Sequence, residues 1–262
     1  MTPAGGVLAL FAHPDDESLL AGGTLAAAAA AGLDVAIVSL TRGEAGPIGD
    51  RSVGRERLGE VRERELRAAA RELGAARARC LDYPDGQLDS QPEQLIAGEL
   101  AALIESSRPT VVLSFGPEGL YWHEDHIAGH RFVRAALERS GGESPPELYE
   151  ATLPKGRISE LVAAMTARGL PADLWGLAPD AFGVPRDAID TVVDVGPFVE
   201  AKLRALRCHQ TQLGPGHLLA ELPDDLAARF LGTEYFIGGH GAQSRLARVV
   251  ADAIRTRAAS GR

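Results

Sequence analysis

The sequence predicts an α/β protein of three layers, a mostly parallel sheet between helices, with a smaller C-terminal α+β part. Three observations carry this. Strand-length apolar runs at 7–11, 34–40 and 111–115 recur with helix-length segments between them. The strand–helix–strand spacing is that of a parallel βαβ unit. The two stretches richest in chemistry each follow such a run, at the strand ends where open α/β sheets place their ligands. At 262 residues the chain is long enough for one large domain, or a domain with an appendage. We divide it into a core over 1–140 and a portion over 141–262 that completes the sheet and the substrate pocket.

In chain order, residues 7–11 form the first buried strand, and a turn at 12–17 feeds an alanine-rich helix over 18–31. Residues 34–40 form the second strand. The loop 41–53 is rich in glycine and polar residues, as loops at active sites are. A charged helix over 55–73 buries Leu58, Val61, Leu66 and Ala69 or Ala70 along one stripe and stops at Gly74. A third strand at 78–81 leads to the turn Pro84-Asp85-Gly86. A helix over 92–106, a strand at 111–115 and a helix from His126 to 139 complete the first half, and 140–146 is a linker by composition. Beyond it come a strand at 148–153 and a helix at 157–168. The proline- and glycine-rich segment 170–187, with Trp175 and Phe182, suits a lid or a wall that selects substrate. A strand at 190–195, a helix at 198–208, a late strand at 234–237 and a closing helix at 246–256 follow.

Composition excludes several classes. Asp and Glu number 36 against 27 Lys and Arg, a net charge of -9. A nucleic-acid footprint would be basic. The acidic balance fits a neutral or cationic partner, or solubility alone, and permits self-association without requiring it. Cys80 and Cys208 make neither a metal-binding pair nor a disulfide framework. The first residues lack a basic start, and no apolar stretch reaches the ~18 residues of a membrane span. A cytoplasmic protein with no membrane partner is therefore expected. No glycine-rich phosphate loop follows the first strand, which argues against a nucleotide cofactor.

The turn Ala12-His13-Pro14-Asp15-Asp16-Glu17 crowds one imidazole and three carboxylates at a strand end. Like charges so close repel unless a cation relieves them. His13 and Asp16 are spaced to turn onto one metal, leaving Asp15 beside it; the alternative is an ordinary acidic helix start. The second stretch, Tyr121-Trp122-His123-Glu124-Asp125-His126, offers one metal ligand and one proton-transfer group. His13, Asp16 and His126 would make the three-ligand set of a catalytic zinc, water taking the open place.

Both stretches resemble the two signatures of the PIG-L/LmbE-like zinc N-deacetylases. That family removes acetyl groups from N-acetylglucosamine units in GPI-anchor, mycothiol and bacillithiol precursors and from related amides. Weaker matches extend the resemblance over most of the chain: Thr41-Arg42-Gly43-Glu44, Arg62 with Glu65 and Leu66, Asp82 to Gly86, and Lys202 with His209-Gln210-Thr211-Gln212. It implies a Rossmann-like fold, an N-acetylated sugar or related amide as substrate, and a general base at Asp15. It also implies that His123, oriented by Asp125, and Tyr121 act at the oxyanion or the leaving amine. Glu17, Arg42, Glu44, Arg62 and Asp85 fall on its substrate side. The donors suit Fe²⁺ or Co²⁺ as well as the Zn²⁺ that the resemblance implies. Glu124 stands where many members have proline. Two rivals are an amidase acting on another N-acyl compound, such as a thiol conjugate, and a non-catalytic metabolite-binding protein, which would not need Asp15 and His123.

Overall fold

Seven strands form one sheet in a computed structural model that describes residues 5–49, 53–141, 144–174, 176–214, 216–239 and 244–260. Trp175 and His240 lie outside the described residues. The strands are β1 (Gly6–Phe11), β2 (Asp34–Thr41), β3 (Arg77–Tyr83), β4 (Pro109–Phe115), β5 (Glu147–Thr152), β6 (Thr191–Asp194) and β7 (Thr233–Ile237). Their order is β3-β2-β1-β4-β5-β7-β6. The five from β3 to β5 are parallel; β7 runs antiparallel to both β5 and β6. The sheet is thus parallel where it carries β1 and β4 and mixed at its C-terminal edge.

The helices are α1 (Asp16–Ala30), α2 (Leu58–Glu72), α3 (Glu93–Ser107), α4 (Gly119–Trp122), α5 (Glu124–Arg139), α6 (Arg157–Thr166), α7 (Val199–Cys208), α8 (Asp224–Leu231) and α9 (Arg245–Ser260). α1, α2, α7 and α9 pack as one layer, and α3 with α5 makes the other. α1 is buried on nearly every side, from Asp16 to Ala28, which is why its sequence is small and apolar all round. Gly22 and Gly23 let neighbours close in: a Cβ on Gly22 would sit 3.1 Å from Lys202, and one on Gly23 would lie 2.5 Å from Val195. The β1-to-β2 connection leaves on one side of β1, while β4 returns on its other side. That reversal opens a crevice at the carboxyl ends of β1 and β4.

Most predicted elements are present with ends shifted by one to three residues. Residues 55–57 are a 3₁₀ turn rather than α-helix. α5 starts at Glu124, not His126, because the His123 side chain caps it by accepting the Asp125 N–H. Glu124 is thereby the first helical residue, a position that suits proline for its fixed φ and glutamate for its charge near the helix's positive end. The exchange between them needs no change of backbone. Sequence analysis missed α8, whose Leu226, Ala227, Phe230 and Leu231 are buried.

Candidate active site

The chain leaves β1 at Phe11 and turns sharply enough to put Asp15 at φ 128. A non-glycine residue in that region is strained and stays there only when its surroundings hold it. They do. The Asp15 N–H donates to Glu17 at 3.0 Å, and its carboxylate accepts from Arg62 at 3.1 Å. Arg62, 3 % exposed, also donates to the carbonyls of Pro14 and Gly43. The second segment is strained as well: Leu120 and Trp122, at φ 67 and 65, flank Tyr121. Gly119 closes on α5 so tightly that a Cβ would meet Ile127 at 2.9 Å.

These turns bring His13, Asp16 and His126 together. His13 Nδ1 and His126 Nε2 lie 3.1 Å apart. The Asp16 carboxylate reaches both, Oδ2 at 3.5 Å from His13 Nδ1 and Oδ1 at 3.4 Å from His126 Nε2. Ligands on a tetrahedral zinc with bonds of about 2.0–2.1 Å stand about 3.3–3.4 Å apart. The outer hydrogen bonds fix which nitrogens carry protons. His126 Nδ1 faces the Gly119 carbonyl at 3.1 Å, and His13 Nε2 faces Asp85 at 3.0 Å and Asp125 at 3.2 Å. Those partners only accept, so the two inner nitrogens are left facing each other and a carboxylate. A proton on His13 or a metal cation between them resolves the clash.

The electrostatics put a proton on His13 in the place such a cation would take. Burial by itself would lower the His13 pKa, but Asp125, Asp16 and Asp85 outweigh it and raise it well above the ordinary value. Burial pushes His126 down to about 3. Burial would raise Asp16, yet His126 and His13 hold it far below the usual carboxylate range. Asp15 is lifted to about 6 by burial, with Arg62 opposing and Asp16 adding. Donor atoms of His13, His123 and His126 also lie within 4.8 Å of one another. His123, however, spends Nδ1 on the Asp125 N–H, and its ring stacks on His126 at 4.5 Å.

A cavity of about 280 Å³ opens over this cluster, lined by His13, Asp15, Asp16, Tyr121 and His123 among others. Of the predicted substrate-side residues, Arg62 and Asp85 reach it. Asp85 is also a second carboxylate behind His13, held by the Ala45 N–H. Three of the expected substrate-side residues lie outside the cavity lining. Glu17 is 1 % exposed beneath the floor, paired with His209 at 3.0 Å. Arg42 turns outward to Asp82 at 2.9 Å, and Glu44 accepts the Asp85 N–H. None of the three lines the cavity. The expected Asp125–His123 pairing is also corrected. The Asp125 carboxylate serves His13 and accepts the N–H groups of Gly86 and Leu88, while only its backbone meets His123. His123 is accordingly lowered in pKa, by burial first and then by His13, instead of being favoured as a cation.

Other residues gained roles. His130 bonds the Phe115 carbonyl and Glu150, away from the cluster. Lys202, 2 % exposed, makes a buried pair with Glu234 at 2.6 Å and is no surface charge. Thr211 donates twice to Glu65. His209, Gln212, Leu206, Leu213 and Leu219 line the cavity, and only the resemblance around His209 pointed there. Leu177 and Phe182 line it too, from the segment expected to form a wall.

An open α/β sheet with an imidazole–carboxylate cluster and a strained aspartate at its switch point is the arrangement of an enzyme that could hold a metal ion. Comparison with known proteins gives the family. Residues 8–137 match the PIG-L model, described as GlcNAc-PI de-N-acetylase. A protein of Mycobacterium sp. (strain JLS), named 1D-myo-inositol 2-acetamido-2-deoxy-alpha-D-glucopyranoside deacetylase, is 33% identical, the match covering 90% of this chain and 84% of the relative. The chain belongs to the PIG-L family of N-deacetylases. Among solved structures, N,N'-diacetylchitobiose deacetylase from Pyrococcus horikoshii has TM-score 0.59 and 24% identity, covering 90% of this chain and 82% of that one. The 4-carboxy-2-hydroxymuconate hydratase GalB of Pseudomonas putida, at 20% identity, has the same TM-score of 0.59 over 86% of this chain and 84% of its own. The scaffold alone therefore does not fix the reaction.

Proposed function

We propose that His13 Nδ1, Asp16 and His126 Nε2 hold one divalent cation, Zn²⁺ by default, and that the chain hydrolyses the acetamide of an N-acetylglucosamine unit. The observation that supports this most is the convergence of two imidazole nitrogens, 3.1 Å apart, and the Asp16 carboxylate on one point, at the spacing of ligands around one metal ion. A bound divalent cation supplies an acidified water and a polarised carbonyl. The rest belongs to the chain. Asp15 takes the proton of the attacking water; at about 6 its carboxyl is near the value a general base needs at neutral pH. Arg62 and the Glu17 carboxylate hold Asp15 in place. His123 accepts the Asp125 N–H at Nδ1, so the neutral ring carries its proton on Nε2. From there it donates to the carbonyl oxygen as negative charge gathers, with Tyr121 beside it, and as the C–N bond breaks Asp15 gives the proton it took to the leaving amine nitrogen. Asp85 and Asp125 fix the tautomer of His13.

The test is acetate release from methyl N-acetylglucosaminide and from N-acetylglucosaminyl inositol, with chain loaded in turn with zinc, iron(II) and cobalt(II). Release that needs the metal and disappears in Asp15→Asn supports the reading. Metal-independent release, or full turnover in Asp15→Asn, overturns it.

A further inference from the structure

The wall of the cavity away from the metal cluster is hydrocarbon. Leu19 of α1, Leu177 and Phe182 of the 170–187 segment, Leu206 of α7, and Leu213 and Leu219 of the following loop face the space above Asp15 and His123. Most of the surface turned to the cavity is apolar. The polar side chains interleaved with these are engaged through most of their atoms, Nδ1 of His209 and Nε of Arg62 excepted. Arg62 donates to two carbonyls and Asp15, His209 is paired with Glu17, and Gln212 donates to the Pro47 carbonyl and Thr211. Among the described residues, that outer wall provides little to hydrogen-bond the hydroxyls of a polyol. A polar group set against it would lose its water without gaining partners.

Resting on the deacetylase reading, which makes the acyl group a small acetyl, we propose that this chain selects N-acetylglucosamine glycosides whose aglycone is a hydrocarbon, alkyl or aryl. The polar floor from Asp15 to His123 receives the amide and sugar. The leucine and phenylalanine wall receives the aglycone, by the burial of apolar surface that concave ligand sites use.

The probe is the metal-loaded Asp15→Asn chain titrated with methyl N-acetyl-β-glucosaminide, its hexyl counterpart and N-acetylglucosaminyl inositol. The hexyl glycoside is expected to bind at least tenfold more tightly than the methyl, five further methylenes being available for burial. That advantage should shrink severalfold in Leu177→Ser and Leu213→Ser, both at half-buried positions where the exchange leaves the core intact. Equal affinity for methyl and hexyl, or tighter binding of the inositol glycoside, overturns the proposal. Turnover of the unaltered chain separates the two readings. Tight hexyl binding with no acetate released from any glycoside would remove the deacetylase reading and leave the apolar wall standing. Release at equal kcat/KM from all three would remove the wall alone.

Discussion

In the proposed mechanism Asp15 and His126 divide the labour of the site, and exchanging each has a different signature. Asp15→Asn preserves the shape that Arg62 and Glu17 hold, so metal content should stay at one per chain while turnover falls 10²–10⁴-fold. His126→Ala removes a donor that Gly119 and the stacked Phe115 ring orient, and the metal itself should be lost on dialysis, as elemental analysis would show. His217 tests pH dependence away from the cluster. Burial pushes it down to about 4, whereas an unfolded chain takes up the proton near pH 6.5. Stability is therefore full above 6.5, falls as the pH drops towards 4 and levels off below, by roughly 3 kcal/mol in all. Urea midpoints of His217→Gln should fall less between pH 7 and 4.5 than those of the unaltered chain; an equal fall would show that the acid sensitivity lies elsewhere. At this scale the convergence of His13, Asp16 and His126 was legible because both charged stretches follow buried strands of one sheet. The partner of Asp125 was not: sequence adjacency favoured His123, while the fold supplies His13 from 112 residues away.

At the scale of elements, α1 shows two rules in opposition. Gly23→Ala should gain about 1 kcal/mol from helix propensity. It would also drive a methyl into Val195, 2.5 Å from the new carbon, an overpacking that costs about 1–3 kcal/mol. Val195 is fully buried against the helix and has nowhere to yield. A net loss of stability is expected, and a higher urea midpoint for the variant would refute it. Strands β1, β2 and β4 were legible because burial on both faces leaves an uninterrupted apolar run. α8 was not, since eight residues give barely two turns of periodicity. The loop 209–223 carries four cavity residues yet no periodic pattern, so its place at the cavity follows only from what α7 and α8 pack against.

Across the whole molecule, one carboxylate joins distant parts. Glu234 on β7 accepts the N–H groups of Gly23 and Thr24 in α1 and the ammonium of Lys202 in α7. Lys202→Met would leave a buried charge without its counter-ion and should cost about 3–5 kcal/mol, read from urea unfolding. Adding Glu234→Gln should recover part of that; no recovery would mean the loss came from packing. The parallel half of the sheet was predictable from its βαβ spacing, but the antiparallel return of β7 between β5 and β6 was not, because short strands do not announce their neighbours. That return has a consequence for synthesis. β5 ends at Thr152 and its partner β7 at Ile237, 85 residues later. At about 5–20 residues per second, a growing chain presents β5 as an open sheet edge for roughly 5–15 s after the metal-binding turns have emerged. An edge that is covered in the finished molecule is a pairing template while translation continues. The interval before β7 is made is therefore one in which this chain is open to edge-to-edge pairing on the ribosome.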